Sequence, residues 1–274
     1  MNVRMWEHPS TKKNLDILQN IDYRIIGPEI GDMACGEYGE GKMSDPLIIV
    51  KEIDNYFFKQ KNNKKFKALV TAGPTNEHID PVRFITNKSS GKQGYEIAKS
   101  LFKKGFDTTL ISGPTNLKIR EDIKLIKVET AEDMLIATQQ NLGVDVEIFS
   151  AAVADFKINK KYEKKIEKKD VINLKFEKTV DILNYVSNHN YMRPNLVIGF
   201  ASETADVEIN AKKKLNNKHC DWIISNDVSN KEIGFNSDFN EVIIHYKDKN
   251  MKKEKLTYKK KSEISDEIVD RIID

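Results

Sequence analysis

Residues 86–94 read TNKSSGKQG and have the composition of a turn that grips an anion. A nucleoside-triphosphate P-loop needs G-x-x-x-x-G-K-[ST], but here a threonine replaces the first glycine and a glutamine replaces the final hydroxyl residue. The P-loop interpretation therefore fails at both ends. Ser89, Ser90 and Gly91 still offer hydroxyl groups and unhindered amides just before a predicted helix, whose N-terminus favours negative charge. The stretch predicts a site for an anionic or polar ligand.

Two lysines further along the chain could also meet an anion. Lys214 lies in VEINAKKKLNN, a predicted helix, and Lys218 follows that segment directly, so the two lysines are four residues apart and share one face of the helix. Two like charges at this spacing destabilise a helix by a few tenths of a kcal/mol, and an anion opposite them would reverse that cost. The alternative is a pair of solvated lysines on a surface helix.

The elements that must position these residues alternate between strands and helices from residue 66 onward. FKALVTAG reads as a strand, GKQGYEIAKSLFKKG as a helix that Gly105 ends, and DTTLISGP as the next strand. Similar segments continue to CDWIISND. The pattern predicts a Rossmann-like α/β fold with a mostly parallel sheet flanked by helices. Ligand loops are then expected at the carboxyl ends of strands, after Ala72, Ser150 and Gly199.

The first part of the chain has a different composition, which predicts a domain boundary. Residues 1–58 contain the glycine-dense GDMACGEYGEGKMSDP and a short amphipathic run, LIIVKEIDNYFF. Residues 59–65, KQKNNKK, have the composition of a solvated linker. Residues 66–274 then form the α/β domain. The lysine-rich tract at 247–261 is predicted to be a charged surface hairpin, and the chain closes with a helix, SEISDEIVDRIID.

Composition restricts the classes of function. Of 274 residues, 39% are hydrophobic, and 45 basic against 42 acidic residues give a net charge of +3, too balanced to predict nucleic-acid binding. Cys35 and Cys220 lie far apart without metal-ligand spacing, which argues against a disulfide framework or a structural zinc site. The sequence contains no run of roughly 18 apolar residues and no apolar signal core. We therefore expect a cytoplasmic protein without a membrane partner.

Four separate segments resemble one enzyme family in order and spacing. They are GPTNEHIDPVRFITNKSSGKQG at 73–94, SAAVADFK at 150–157, GFASET at 199–204 and FNSDFNEV at 235–242. Through residues 66–273 the chain resembles phosphopantothenoylcysteine synthetase, the ligase half of the bacterial bifunctional coenzyme A biosynthesis protein. The resemblance implies that 4'-phosphopantothenate is joined to L-cysteine with CTP and Mg²⁺ through an acyl-cytidylate, releasing pyrophosphate and CMP. It also implies a homodimer formed through the ligase domain.

The resemblance implies roles for residues around the acyl group. Asn87 corresponds to the family's asparagine on the acyl intermediate, where its amide would donate to the carbonyl oxygen, and the alternative is an asparagine that only closes a turn. Arg83 corresponds to a contact on the pantothenate side. The remaining expected substrate contacts are Ser89, Ser90, Gly91, Ala151 and Ala152.

The resemblance implies a second set of residues around the nucleotide. Lys165 lies in KKIEKK, at the position of the family's mobile lysine loop, but Glu167 replaces a lysine there and Lys168 retains its charge. A solvated run of charge is the alternative for this loop. Thr179 and Val180 replace the family's usual asparagine and proline, so this segment departs from the family pattern where the base would be selected. The expected nucleotide contacts are Asp155, Lys165, Val180, Asp181, Ile182, Leu183, Phe200, Lys214 and Lys218.

The N-terminal residues resemble a second family. MNVRMW and ACGEYGEGKM are similar to the end of FMN-dependent phosphopantothenoylcysteine decarboxylase, so residues 1–58 are interpreted as the C-terminal remnant of that domain. Cys35 would be its proton donor and Asn2 a substrate contact. The flavin-binding part would precede Met1, so we expect no decarboxylation by this chain alone, and FMN only if the missing part is supplied elsewhere.

Two rival functions stay open. An NAD-dependent Rossmann reductase would share the alternation of strands and helices, but the turn after the first strand lacks G-x-G-x-x-G. A non-catalytic chain could instead complete a split bifunctional decarboxylase and ligase through its N-terminal residues. Copurification of yellow flavin with a partner, together with no ligation by this chain, would favour that second alternative.

Overall fold

A computed structural model describes most of the chain. The described residues are 1–21, 23–33, 35–50, 52–53, 66–167, 173–229, 233–234, 236–248 and 250–273. The chain divides into two compact units, Met1–Asn63 and Lys64–Asp274. The predicted linker at 59–65 lies outside the described residues, so the predicted domain boundaries stay predictions.

The first unit contains two short helices and a two-stranded antiparallel ribbon. The helices are α1 (Val3–Glu7) and α2 (Pro9–Asn20), and the strands are β1 (Glu29–Asp32) and β2 (Tyr38–Lys42). Residues 46–50 and 52–53 are also helical. Asn2 caps α1, because its Oδ1 accepts a hydrogen bond from the Met5 amide at 2.9 Å.

The second unit is built on an eight-stranded sheet of order β14-β13-β12-β11-β8-β3-β6-β7. The six strands from β12 to β7 run parallel, while β13 and β14 add an antiparallel edge. The strands are β3 (Lys67–Ala72), β6 (Asp107–Ser112), β7 (Lys124–Lys127), β8 (Val146–Phe149), β11 (Leu196–Glu203), β12 (Trp222–Asp227), β13 (Phe239–Tyr246) and β14 (Glu254–Lys260). This arrangement confirms the predicted Rossmann-like fold. The tract at 247–261 contains the connection and second strand of the β13–β14 hairpin.

Helices cover both faces of this sheet. They are α3 (Lys92–Lys103), α4 (Ala131–Gln140), α5 (Ile182–Ser187), α6 (Val207–Lys218) and α7 (Lys261–Ile273). Buried residues of α3 and α7 join one core cluster, and those of α4, α5 and α6 join a second. Strand residues alternate between the two clusters, so both faces of the sheet are buried, as parallel sheets require.

Sequence signals at helix ends explain where two of these helices start and stop. Thr130 and Asp133 form a capping box at the start of α4, in which each side chain accepts the other residue's backbone N–H. Gly105 follows the last residue of α3 and its cap with a φ of +105°, a conformation that glycine adopts without strain. The helix end predicted at Gly105 is confirmed.

Two small antiparallel hairpins lie outside the main sheet. One pairs β4 (Asn76–His78) with β5 (Phe84–Thr86), and the other pairs β9 (Phe156–Ile158) with β10 (Phe176–Lys178). Both hairpins follow strand ends of the parallel sheet and carry predicted site residues in or beside their strands. None of the helices within the described ranges combines the length and the apolar character needed to cross a bilayer.

A carboxylate is buried at the centre of the sheet. Glu147 lies on β8 between Leu69 and Val197 of the neighbouring strands, and its exposed fraction is 0%. Neither carboxyl oxygen has a hydrogen-bond partner among the described residues. Burial raises the pKa of Glu147 well above its ordinary value, so the neutral acid is the form that the core accepts.

Candidate active site

A cavity of about 650 Å³ lies at the carboxyl ends of the parallel strands. Its volume falls within the range of small-molecule sites. Segments far apart in the sequence contribute to its lining, as expected at the strand ends of an α/β sheet. The predicted residues that line it are Asn87, Ser89, Ser90, Gly91, Ala151, Ala152, Asp155, Val180, Asp181, Ile182, Leu183, Phe200, Lys214 and Lys218.

Ser89, Ser90 and Gly91 form a turn, the serine-glycine turn, at the N-terminus of α3. Gly91 is the N-cap residue, with a φ of +76° that favours glycine. A Cβ atom here would lie 3.2 Å from Cα of Gly73, so the two turns approach closely. A glycine cap offers no side-chain acceptor to the first N–H groups of the helix, which suits this helix end to an anionic ligand.

Asn87 connects this turn to the loop after β8, the alanine loop, which contains Ala151 and Ala152. Its Nδ2 donates hydrogen bonds to the backbone oxygens of Ala152 and Val153 at 3.0 and 3.2 Å. The Ala152 amide in turn donates to the Gly73 oxygen at 2.9 Å. Asn87 thus lines the cavity and also closes the loop, so the turn-closing alternative describes part of its contacts. Its role at an acyl group stays a prediction.

The loop before α5 and the strand β11 form another part of the cavity lining. Asp181 is the N-cap of α5, and its Oδ1 accepts from the Asn184 amide at 2.8 Å. Phe200 is half-buried beside Gly199, where a Cβ atom would lie 2.6 Å from Leu183 Cδ2. Glycine at position 199 therefore permits the close packing of Leu183 against β11.

The substituted Thr179 has a defined structural role in this region. Its Oγ1 donates to the Ala154 oxygen at 2.5 Å, and its amide donates to the Asp155 oxygen at 3.0 Å. These bonds connect the segment that precedes α5 to the loop after β8. The threonine that replaces the family's usual asparagine therefore binds the backbone next to Asp155.

Both lysines of α6 line the cavity, and each has a carboxylate partner. Lys214 Nζ lies 2.8 Å from Glu203 Oε1, and Lys218 forms an ion pair with Asp181. The shared face that the spacing predicts is therefore confirmed. The carboxylates offset the repulsion between the two ammonium groups, a contribution that the helical spacing alone cannot predict.

The sequence interpretation missed a second group of polar residues in the cavity lining. Lys92 forms an ion pair with Asp238 at 2.6 Å, and Lys261 Nζ donates to the Ser237 oxygen at 2.6 Å. Burial, reinforced by the charge of Lys92, lowers the pKa of Lys261 to about 8. Asp238, the partner of Lys92, lies in FNSDFNEV, one of the four segments that carry the family resemblance, but no site residue was predicted from that segment.

Arg83 and Lys165 do not belong to the cavity lining formed by the described residues, in contrast to the expectation. Arg83 instead donates from Nη1 to Asp80 Oδ2 at 3.3 Å and from Nη2 to the Ile166 oxygen at 3.4 Å. Lys165 precedes buried Ile166 and is exposed. The structure therefore brings these two segments together outside the cavity lining, while Lys168 lies outside the described residues.

The buried carboxylate of Asp80 fixes the contact between the segment that carries Arg83 and the segment that carries Lys165. Asp80 has a fully buried side chain and accepts hydrogen bonds from the amides of Val82, Arg83 and Ile166. Burial alone would raise the pKa of Asp80, but the three amide donors and the Arg83 charge outweigh it and lower the pKa. The ionised carboxylate thus anchors the segment that carries Lys165.

The candidate decarboxylase residues lie in the first unit. Cys35 is exposed, with Sγ 3.8 Å from Glu37 Oε2, and Asn2 caps α1. In the second unit, Cys220 is buried, and burial raises the pKa of its thiol to about 12. A thiol with that pKa stays protonated and is a structural residue.

The described residues contain no cluster of three or more side chains that could hold a metal ion. Asp155 and Asp181 are the acidic residues of the cavity lining. Magnesium commonly binds through one or two carboxylates together with substrate phosphates. The side chains present therefore fit an ion that arrives on a nucleotide, with Asp155 as a single protein carboxylate.

Comparisons with known proteins agree with the resemblance. Residues 63–274 match the family model described as DNA/pantothenate metabolism flavoprotein C-terminal domain, and residues 1–58 match the flavoprotein model. The chain is 39% identical over 277 residues to the coenzyme A biosynthesis bifunctional protein CoaBC of Haemophilus influenzae, covering 100% of this chain and 68% of that protein. The Bacillus subtilis CoaBC protein is 38% identical, with 99% of this chain and 67% of that protein covered.

A solved structure supports the same relationship. The crystal structure of the C-terminal domain of a CoaBC protein matches this chain with a TM-score of 0.63 and 38% sequence identity. The match covers 76% of this chain and 93% of the solved one. The sheet and helices of the second unit therefore have a close counterpart in an experimental structure.

Proposed function

We propose that this chain, which belongs to the DNA/pantothenate metabolism flavoprotein C-terminal domain family, is an enzyme of coenzyme A biosynthesis. Its second unit would catalyse CTP-dependent ligation of 4'-phosphopantothenate to L-cysteine. The observation that supports this proposal is the single cavity that gathers the serine-glycine turn, the alanine loop, residues 180–183 and the two lysines of α6. The resemblance implies a substrate or nucleotide contact for each of these segments.

In the first step, a pantothenate carboxylate oxygen attacks the α-phosphorus of CTP. A bond forms between that oxygen and the α-phosphorus, and the bond from the α-phosphorus to the pyrophosphate leaving group breaks. The approach brings like charges together, so cations must neutralise them. Lys214 and Lys218 supply two ammonium groups, and the N-terminus of α3 supplies oriented N–H groups. Mg²⁺, when bound, would neutralise further phosphate charge.

In the second step, the cysteine amine attacks the acyl carbon of the mixed anhydride. The new amide bond forms, CMP leaves with the electron pair of the broken acyl–oxygen bond, and the amine loses a proton. Asn87 lies at the junction of the turn and the alanine loop, and its Nδ2 would exchange one of its two backbone acceptors for the carbonyl oxygen, stabilising that oxygen as its negative charge grows. The small side chains of Ala151 and Ala152 permit a close approach of the acyl group.

The test incubates phosphopantothenate and cysteine with each nucleoside triphosphate separately. Pyrophosphate and the ligated thiol product are measured together. We expect both products with CTP, and the variant Lys218→Gln should reduce them while the matched variant Lys103→Gln, at an exposed position on α3, should not. Absence of pyrophosphate and thiol product with every triphosphate would contradict ligation and favour a non-catalytic chain.

Three further statements belong to this proposal. The second unit would form a homodimer, which sedimentation analysis of the purified chain can test. Residues 1–58 would contribute Cys35 and Asn2 to decarboxylation only together with a flavin-binding part that holds FMN. The ligase would act in the cytoplasm on its three small-molecule substrates. A monomer in sedimentation would contradict the first of these statements without affecting the other two.

A further inference from the structure

The ion pair between Lys214 and Glu203 bears on how tightly the cavity holds a polyphosphate. Lys214 lines the cavity from α6, and its Nζ lies 2.8 Å from Oε1 of Glu203, the last residue of β11. The Glu203 side chain is 15% exposed and that of Lys214 is 44% exposed. The ammonium group therefore has a largely buried carboxylate on one side and stays accessible to a ligand.

The geometry of the pair allows the ammonium to change partners. Oε1 of Glu203 is buried and forms no hydrogen bond of good geometry with a described residue. It is close to Lys214 Nζ, but their contact is an ion pair without hydrogen-bond geometry. Oε2 accepts a hydrogen bond from Asn210 Nδ2 at 3.2 Å, also on α6. Asn210 therefore restrains the carboxylate independently of the lysine. The lysine stem is flexible and its ammonium carries three donors, so it can turn towards a phosphate.

We propose that Glu203 is a positioning residue that holds Lys214 beside the cavity and competes with phosphate groups for its ammonium. Glu203 would thereby limit the affinity of the site for CTP and for pyrophosphate. This inference rests on the proposed function, because it takes a triphosphate as the ligand of Lys214. The fixed carboxylate opposes each phosphate oxygen that approaches the ammonium. Pyrophosphate consequently leaves more readily once the acyl-cytidylate has formed.

The first test compares Glu203→Gln with a matched charge-removing variant, Glu208→Gln. Glu208 lies on α6, the helix of Lys214, and forms an ion pair with Lys253 at 2.7 Å, but it does not line the cavity. Calorimetric titration of the full chain with CTP and with pyrophosphate should give about two- to fivefold tighter binding for Glu203→Gln, the range expected for a partly exposed pair. Glu208→Gln should bind like the wild type. Unchanged or weaker binding by Glu203→Gln would overturn the inference.

The second test asks whether Glu203 acts through Lys214. In a Lys214→Gln background, the gain in affinity from Glu203→Gln should disappear, because the ammonium for which Glu203 and the phosphate compete is gone. A gain that persists would indicate a general charge effect and overturn the inference. In steady-state kinetics, Glu203→Gln should lower KM for CTP without raising kcat, and pyrophosphate should inhibit it more strongly.

The outcomes separate this inference from the proposed function. A wild-type chain that binds CTP, together with a Glu203→Gln variant of equal affinity, would reject only the role of Glu203. A wild-type chain that binds neither CTP nor pyrophosphate would contradict the ligase proposal, and the inference with it.

Discussion

Replacing Glu147 should stabilise the fold at neutral pH and change how stability depends on pH. The carboxyl group is fully buried without a hydrogen-bond partner among the described residues, and burial raises its pKa well above the ordinary value of 4.5. The folded chain therefore retains a proton that the unfolded chain releases as the pH rises above 4.5. Stability from this group is present below that pH and is lost above it, by about 1.4 kcal/mol per pH unit until the folded-state pKa is reached.

Two substitutions separate the titration from the burial of polar atoms. Glu147→Gln removes the proton linkage but leaves an amide in the core, so its gain over the wild type should grow by about 1.4 kcal/mol per pH unit above the unfolded-state pKa until the raised folded-state pKa is reached. Glu147→Met also removes the buried polar atoms, which adds roughly 1–3 kcal/mol that does not depend on pH. The difference between the two variants should therefore stay constant across the pH range.

Urea unfolding at pH 5, 6, 7 and 8 measures these free energies. Subtracting each variant from the wild type cancels the titration of every other group. The exposed Glu121→Gln is the control for removal of a carboxylate and should change little. A Glu147→Gln variant whose stability runs parallel to that of the wild type from pH 5 to pH 8 would refute the assignment of a raised pKa to this residue.

Three other perturbations test the site and its support. Asn87→Ala should lower kcat by about 10²–10³ if its amide stabilises the acyl oxygen, whereas its exposed hydrogen bonds contribute only about 1 kcal/mol to stability; unchanged product formation in a stopped-time assay would contradict the role. Gly199→Ala would place a Cβ atom 2.6 Å from Leu183 Cδ2, so chemical unfolding should show a loss of about 1–3 kcal/mol. The pKa of Lys261 is lowered to about 8 from its ordinary 10.5, so between these pH values the unfolded chain binds a proton that the folded chain has released. The free energy of unfolding of the wild type, relative to that of Lys261→Met, should therefore rise between pH 8 and pH 10. A decrease over that range would contradict the lowered pKa.

The local sequence predicts the main elements because each carries its own signal. FKALVTAG and LVIGFASE are apolar runs of strand length, and both are strands of the sheet. Gly105 has the positive φ that ends α3, and Thr130 begins α4 with its capping box. These signals act over a few residues, so they can be recognised without knowledge of the tertiary structure.

Contacts between distant segments could not be predicted in the same way. The partner of Lys214 is Glu203 on another element, and one of the two partners of Arg83, the Ile166 oxygen, lies 83 residues away. Glu147 occurs in an apolar run, DVEIFSAA, but only the strand order places it between two other buried strands. The resemblance predicts which residues form the site, whereas their pairing depends on how the strands and loops come together.

The strand order gives the abundant lysines a further role. The two outermost strands, β14 and β7, present unpaired backbone groups to which another chain could add a strand. β14 contains Lys255, Lys259 and Lys260, and β7 begins and ends with lysine. Lysines on edge strands disfavour intermolecular pairing, because adding a strand would bring like charges together and desolvate them. These five lysines therefore lie where they protect the two edges of the sheet from aggregation.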